Sequence, residues 1–262
     1  MIWYCRDKKI EYGSKTLIMG IVNITPDSFS DGGCWFSEED AVKHALQLIE
    51  DGADIIDLGA QSTRPGYEEI PAEEEWARLE PVLKTLRSLT DKPISVDTYF
   101  PYTAKKAIEN GADIINDVGG KLESETAELI NSSGAGWVVM HNGPGGVKEV
   151  KEFFEKAITV CNKKQLCLDM GIGFGKTYEE NLELIGNVKK YRIEGVPLLL
   201  GVSRKRVIGA ASGEEEPEKR TYGNIAADTA AILSGADIIR IHDVKNEIKG
   251  IRTADEIKKW IR

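Results

Sequence analysis

"GADIIDLG" (52–59), "GADIINDVGG" (111–120) and "GADIIRIHDV" (235–244) are one phrase written three times. Each copy follows an amphipathic stretch with helical spacing, such as "SEEDAVKHALQLIEDGADII" (37–56). The glycine reads as a helix C-cap and the Ile-Ile pair as the start of a short buried strand. The phrase is therefore the joint between a helix and the next strand in a repeating βα unit.

Working outward, further apolar runs fill the gaps: "TLIMGIV", "KPISV", "GWVVM", "KQLCLD" and "VPLLLGV". With the three repeats they make eight strands. The intervening spacing predicts helices over Glu38–Asp51, Ala72–Leu89, Pro101–Asn110, Ser124–Asn131, Val147–Val160, Tyr178–Lys189, Arg220–Ser234 and Lys245–Arg262. Strands that are apolar throughout, alternating with helices, imply a parallel sheet with its outer face covered. Eight such units in 262 residues favour a closed (β/α)8 barrel, which takes roughly 250 residues. No Pro- or Ser-rich linker interrupts the chain, so residues 1–262 are read as one domain, with a small hairpin expected from residues 1–15 at the barrel floor.

Composition narrows the function. A net charge of −9 without a long basic run argues against a duplex-binding surface. No apolar segment approaches the ~20 residues of a membrane span. Charges in "MIWYCRDKKI" stand where a signal peptide needs its apolar core, so a cytoplasmic protein is expected. The four cysteines (Cys5, Cys34, Cys161, Cys167) form no CxxC pair and read as ordinary thiols.

The repeats also align themselves. Five residues after each glycine stand Asp57, Asn116 and Arg240, in equivalent places toward the C-terminal ends of strands. Other strand ends carry Asn23, Asp97, His141, Asp169, and Ser203 with Lys205. Each alone suits a turn or a cap. Together they ring the barrel's C-terminal mouth, as a small-ligand site requires. Asp57, Asp97, Asn116 and Asp169 suit the polar edge of a flat heterocycle. Arg64, Lys205, Arg240 and His242 suit phosphate oxygens. A charged Arg240 inside "DIIRIHDV" needs either a partner or an open mouth. "GIGFGKT" (171–177) lacks the spacing of a nucleotide-binding loop, and no His/Cys set suggests structural zinc. Magnesium, which needs few protein ligands and rides on diphosphates, is compatible.

These residues bring the chain to a family. "GIVNITPDSFSDGG", "QSTRPG", "SVDT", "INDVGG", "GIGFGKT", "GVSRK" and "IRIHDV" resemble, in order, the blocks of the dihydropteroate synthases, from about residue 18 to 245. The resemblance implies a (β/α)8 barrel that joins 4-aminobenzoate to 6-hydroxymethyl-dihydropterin diphosphate and releases diphosphate. It implies that Asp97, Asn116, Asp169 and Lys205 read the pterin, with Met140 and Phe174 packed on it. Asn23, Thr63, Arg64, Arg240 and His242 would hold the diphosphate, Asn23 also touching Mg²⁺. Phe29, Asp31, Pro65 and Arg206 would surround the aminobenzoate. Catalytic roles fall to Asp97, Lys205, Asp31 and Arg64. A homodimer is implied as well.

Within "NITPDSFSDGG" (23–33), Asn23 belongs to the strand end, and Thr25 to Gly33 are expected to form a mobile lid. The chain departs from the family's usual Glu at Gln61, its Pro at Met170 and its frequent Ser at Arg206. It is also short after "VVMHN". Two other readings stay open: a pterin-binding methyltransferase that serves a corrinoid protein, and a catalytically idle pterin-binding homologue.

Overall fold

The computed structural model describes residues 1–24, 37–61 and 69–261. A two-stranded antiparallel hairpin comes first, β1 (Ile2–Cys5) and β2 (Lys8–Glu11). Eight parallel strands follow: β3 (Leu17–Asn23), β4 (Ile55–Gly59), β5 (Ile94–Asp97), β6 (Ile114–Asp117), β7 (Gly136–Met140), β8 (Leu166–Asp169), β9 (Leu198–Leu200) and β10 (Ile238–Ile241). They pair in chain order, and β10 returns to β3, which closes the barrel.

Helices cover the outside: α1 (Glu38–Glu50), α2 (Ala72–Leu89), α3 (Pro101–Glu109), α4 (Ser124–Ser133), α5 (Val147–Val160), α6 (Tyr178–Gly186), α7 (Arg206–Ser212), α8 (Thr221–Ser234) and α9 (Val244–Lys258). Helix α7 has no counterpart in the sequence reading, because seven residues are too few to show a 3.6-residue period. The reading also runs α6 too far: it stops at Gly186, and a separate 3-10 turn follows at Val188–Tyr191. Likewise α9 ends at Lys258, short of Arg262. Among the described residues, no helix is long and apolar enough to cross a membrane.

The thrice-written phrase explains the architecture residue by residue. Its glycines, Gly52, Gly111 and Gly235, have φ of 110°, 103° and 113°, a region where a side chain is strained. Ala53, Ala112 and Ala236 pack under the helices. The aspartate then closes the barrel's lower rim: Asp54, Asp113 and Asp237 accept the backbone N–H of Ile18 (3.0 Å), Ile94 (2.9 Å) and Leu198 (3.1 Å), each on a neighbouring strand. Each aspartate also meets a cation: Lys15 for Asp54, Arg87 for Asp113 and Arg192 for Asp237.

The two isoleucines part company, as the pleat requires. Ile56, Ile115 and Ile239 face outward into the layer between sheet and helices. Ile55, Ile114 and Ile238 face inward. There they meet Trp3, Cys5, Ile10 and Tyr12 from the hairpin region, which plugs the floor as expected. Trp3 is fully buried, and its indole N–H donates to the Gln165 carbonyl at 2.8 Å.

Candidate active site

Two residues after the inward isoleucine, the chain points inward again, now toward the mouth. These positions are Asp57, Asn116 and Arg240, so the equivalence read from the repeats places three polar groups in one layer. The Arg240 guanidinium donates from Nε to Asp57 Oδ2 and from Nη2 to Asp97 Oδ2, both at 2.7 Å. Asn116 Nδ2 donates to the same Asp57 oxygen at 3.0 Å. The partner that Arg240 needs is therefore a pair of acids. The sequence reading sorts the acids and Arg240 into separate sets; in the structure they form one network.

The network leaves Asp57 Oδ1, Asn116 Oδ1 and Ser95 Oγ buried without a hydrogen-bond partner among the described residues. Such groups are costly unless something donates to them. Burial pushes the Asp97 carboxyl well above the usual carboxylate range. Arg240 opposes that shift and Asp57 adds to it. For Arg240 the two acids outweigh its burial and raise its pKa further.

Asp169 and Lys205 stand on the other side of the mouth. Asp169 ends β8, and its Oδ1 accepts the Gly171 N–H at 2.8 Å. Burial raises its pKa and Lys205 lowers it. Lys205 Nζ donates to the Ile172 carbonyl and lies 4.8 Å from the centroid of the Phe174 ring. Burial draws its pKa down to about 8, against the pull of Asp169.

Lys205 is the N-cap residue of α7 and follows a strained turn. Arg204 has φ of 62°, and it is held by its N–H on Asn224 Oδ1 (3.2 Å) and by Arg220 Nη1 on its carbonyl (2.8 Å). Ser203 on the same turn accepts the backbone N–H of His242 at 3.2 Å and lies 2.9 Å from His242 Nδ1. Met140, the last residue of β7, is buried beside Asp169 in the strand register.

Asn23 ends β3 next to Gly59 of β4. A Cβ on Gly59 would lie 3.8 Å from Asn23 Oδ1 and 3.9 Å from Asp97 Oδ2, so both oxygens border one patch. Arg206 is exposed at the first turn of α7. Phe29, Asp31, Thr63, Arg64 and Pro65, with the expected lid Thr25–Gly33, lie outside the described residues.

The sequence reading gives Asp57 to the edge of a heterocycle, where the structure makes it the hub of the ion network, and it leaves two groups unassigned that the structure puts at work. The Ile172 carbonyl is a backbone group and leaves no trace in sequence. Lys176 is visible only as the end of an alternating-glycine run, and it bonds to carbonyls of two loops.

Known proteins resemble this chain in sequence and in fold. Residues 19–242 match the family model described as "Pterin binding enzyme". A dihydropteroate synthase from Clostridium beijerinckii is 39% identical over 262 residues, covering 95% of this chain and 97% of that protein. Among solved structures, a dihydropteroate synthase from Clostridium difficile in the presence of pteroic acid superposes with a TM-score of 0.89. It is 41% identical and covers 95% of this chain and 98% of its own. The Xanthomonas albilineans dihydropteroate synthase in complex with 7,8-dihydropteroate also gives 0.89, at 35% identity over 98% and 99% of the two chains.

Proposed function

The chain belongs to the pterin-binding enzyme family, and from that premise we infer that it condenses 6-hydroxymethyl-7,8-dihydropterin diphosphate with 4-aminobenzoate. The products are 7,8-dihydropteroate and diphosphate. This is the transferase reaction of a dihydropteroate synthase, in folate synthesis.

One observation carries the assignment to the mouth: a buried ion network that retains acceptors, Asp57 Oδ1 and Asn116 Oδ1, unpartnered among the described residues. A pterin offers an amino group and ring N–H donors to such acceptors. Asp169 and Lys205 take the neighbouring positions on that edge, and Phe174 and Met140 supply apolar surface for the ring's flat faces.

In the reaction the bond from the exocyclic methylene carbon to the diphosphate oxygen breaks, and the electron pair leaves with diphosphate. Positive charge develops over the pterin. Asp97, seated in the network below, stabilises that charge as an anion. The arylamine nitrogen bonds to the methylene carbon and gives up a proton. It is a nucleophile near neutral pH without help, so the site needs orientation and exclusion of water more than a strong base. Arg240 and His242, with Thr63 and Arg64, are assigned to the diphosphate. Phe29, Asp31, Pro65 and Arg206 are assigned to the aminobenzoate.

The same reading includes Mg²⁺. Asn23 offers a hard carboxamide oxygen beside the Asp97 carboxylate, a donor type that suits a cation carried mainly by diphosphate oxygens. When bound, the ion would neutralise charge on the leaving diphosphate. A homodimer belongs to the reading too, on the strength of the family resemblance, and so does a cytosolic location, expected from the sequence itself.

A coupled diphosphate-release assay with both substrates and Mg²⁺ tests the assignment. Release that requires 4-aminobenzoate is expected. Binding of the pterin diphosphate without any release would make the chain an idle homologue. Methyl transfer from a methylated folate would make it a methyltransferase.

A further inference from the structure

"GIGFGKT" (171–177) enters the site only through Phe174 in the sequence reading, yet Lys176 is its most connected side chain. Its Nζ donates to the carbonyls of His141 (3.0 Å), Gly171 (3.0 Å), Phe174 (3.2 Å) and Gly143 (3.4 Å). Two of these carbonyls follow β7 and two follow β8, so one ammonium joins two loops of the mouth. The loops are also in close contact: a Cβ on Gly171 (φ 70°) would lie 2.0 Å from the His141 carbonyl oxygen. Burial lowers the Lys176 pKa to about 8, opposed by Asp169 and Glu180.

The path that Lys176 holds is the one that meets the site. Gly171 and Phe174, both bonded to Nζ, bracket the residues that touch Lys205 and Asp169. The Gly171 N–H donates to Asp169, the Ile172 carbonyl accepts Lys205 Nζ, and the Phe174 ring lies under the same ammonium. Beyond Lys176 the chain is anchored at once. Thr177 and Glu180 cap α6 reciprocally, and Asn181 accepts the Gly173 N–H at 2.6 Å.

We propose that Lys176 is a positioning residue for pterin recognition: by gathering four carbonyls of two loops it sets Ile172 and Phe174 against Lys205, and Lys205 against Asp169. It does so without touching substrate. The inference rests on the pterin reading above.

The test uses the full chain with Lys176→Met, which keeps length and loses every donor, and Lys176→Arg. The readouts are KM for each substrate, kcat, and the alkaline limb of pterin-diphosphate binding, with folding checked at the assay temperature. For Lys176→Met, KM for the pterin diphosphate rises about ten-fold while KM for 4-aminobenzoate moves less than about two-fold. The alkaline limb shifts to higher pH, because Lys205 loses a cationic neighbour.

Lys176→Arg keeps the charge, but a planar fork does not converge on four carbonyls from one point, so the pterin KM rises there too, by about three-fold. That variant decides the matter if Lys176→Met does not fold. A folded variant with unchanged pterin KM and only a lower melting temperature overturns the proposal. Wild-type protein that neither binds the pterin diphosphate nor releases diphosphate overturns the pterin reading instead, so the two failures are distinct.

Discussion

The floor and the mouth of this barrel are built from the same thrice-repeated phrase and have opposite chemistry. At the floor the inward residues are isoleucines, sealed by Trp3 and Tyr12 from the hairpin side, and each rim aspartate is satisfied by a backbone N–H and a cation. Two residues further on, the inward positions hold Asp57, Asn116 and Arg240, where acceptors stay unpartnered among the described residues and the neighbouring Asp97 carboxyl has its pKa pushed up by burial. The same pleat therefore serves both ends, and only the residue after the second isoleucine changes. The floor spends its inward layer on stability. The mouth gives up part of that stability to keep polar groups ready for a ligand, as functional sites commonly do.

The largest expected effect breaks the mouth. Arg240→Met removes the guanidinium between the buried Asp57 and the mostly buried Asp97, leaving both acids uncompensated. It should lower stability by about 3–5 kcal/mol. Turnover should be lost as well, measured by diphosphate release alongside chemical denaturation. Normal stability in that variant would mean that the guanidinium does not offset the charge of the two acids. Trp3→Ala makes the matching cut at the floor, where stability should fall by about 3–5 kcal/mol through loss of a fully buried indole. Kinetic constants measured well below the melting temperature should stay within about two-fold of wild type, since the plug and the site occupy opposite ends. A large kinetic change would show that the floor governs the mouth.

How much of this was legible in the sequence follows from the physics of each feature. The barrel was, because glycine caps, short runs that are apolar throughout and helical spacing are local signals, and the repeats supplied an internal alignment. The polar ring was also legible, since charged residues inside apolar strands are conspicuous. The pairing of Arg240 with Asp57 and Asp97 was not. Which side chains meet across a closed barrel depends on the stagger between strands: Arg240 aligns with Met19, Met19 with Ile55, and the guanidinium reaches on to Asp57. The role of Lys176 was hidden for another reason. Its partners are four backbone carbonyls, which any sequence possesses.

A smaller effect sharpens the contrast at the rim. Asp113→Ala leaves the Ile94 N–H and Arg87 Nη1 without their acceptor, while Arg87 Nη2 keeps the Thr90 and Lys92 carbonyls. The loss should be about 1–3 kcal/mol of stability with unchanged KM values. Asp54→Ala and Asp237→Ala should behave alike, because the three aspartates do the same job in three copies. A kinetic change confined to one of them would show that the copies are not equivalent.

The smallest effect is a shift in pH dependence at the mouth. Lys205 is held near 8 because burial disfavours its charge, and Asp169 keeps it from falling further. The ammonium is present below that value and is lost as pH rises through it, so pterin-diphosphate affinity should fall along an alkaline limb near pH 8. Asp169→Asn removes the opposing charge and keeps the side chain's shape. The Lys205 pKa then drops, and the limb should move to lower pH by about one unit or less. Titrating binding from pH 6 to 9, by the affinity of the pterin diphosphate rather than by turnover, isolates this ammonium from later steps. A limb that stays in place would mean that a different group sets it, and that Lys205 does not depend on Asp169 for its charge.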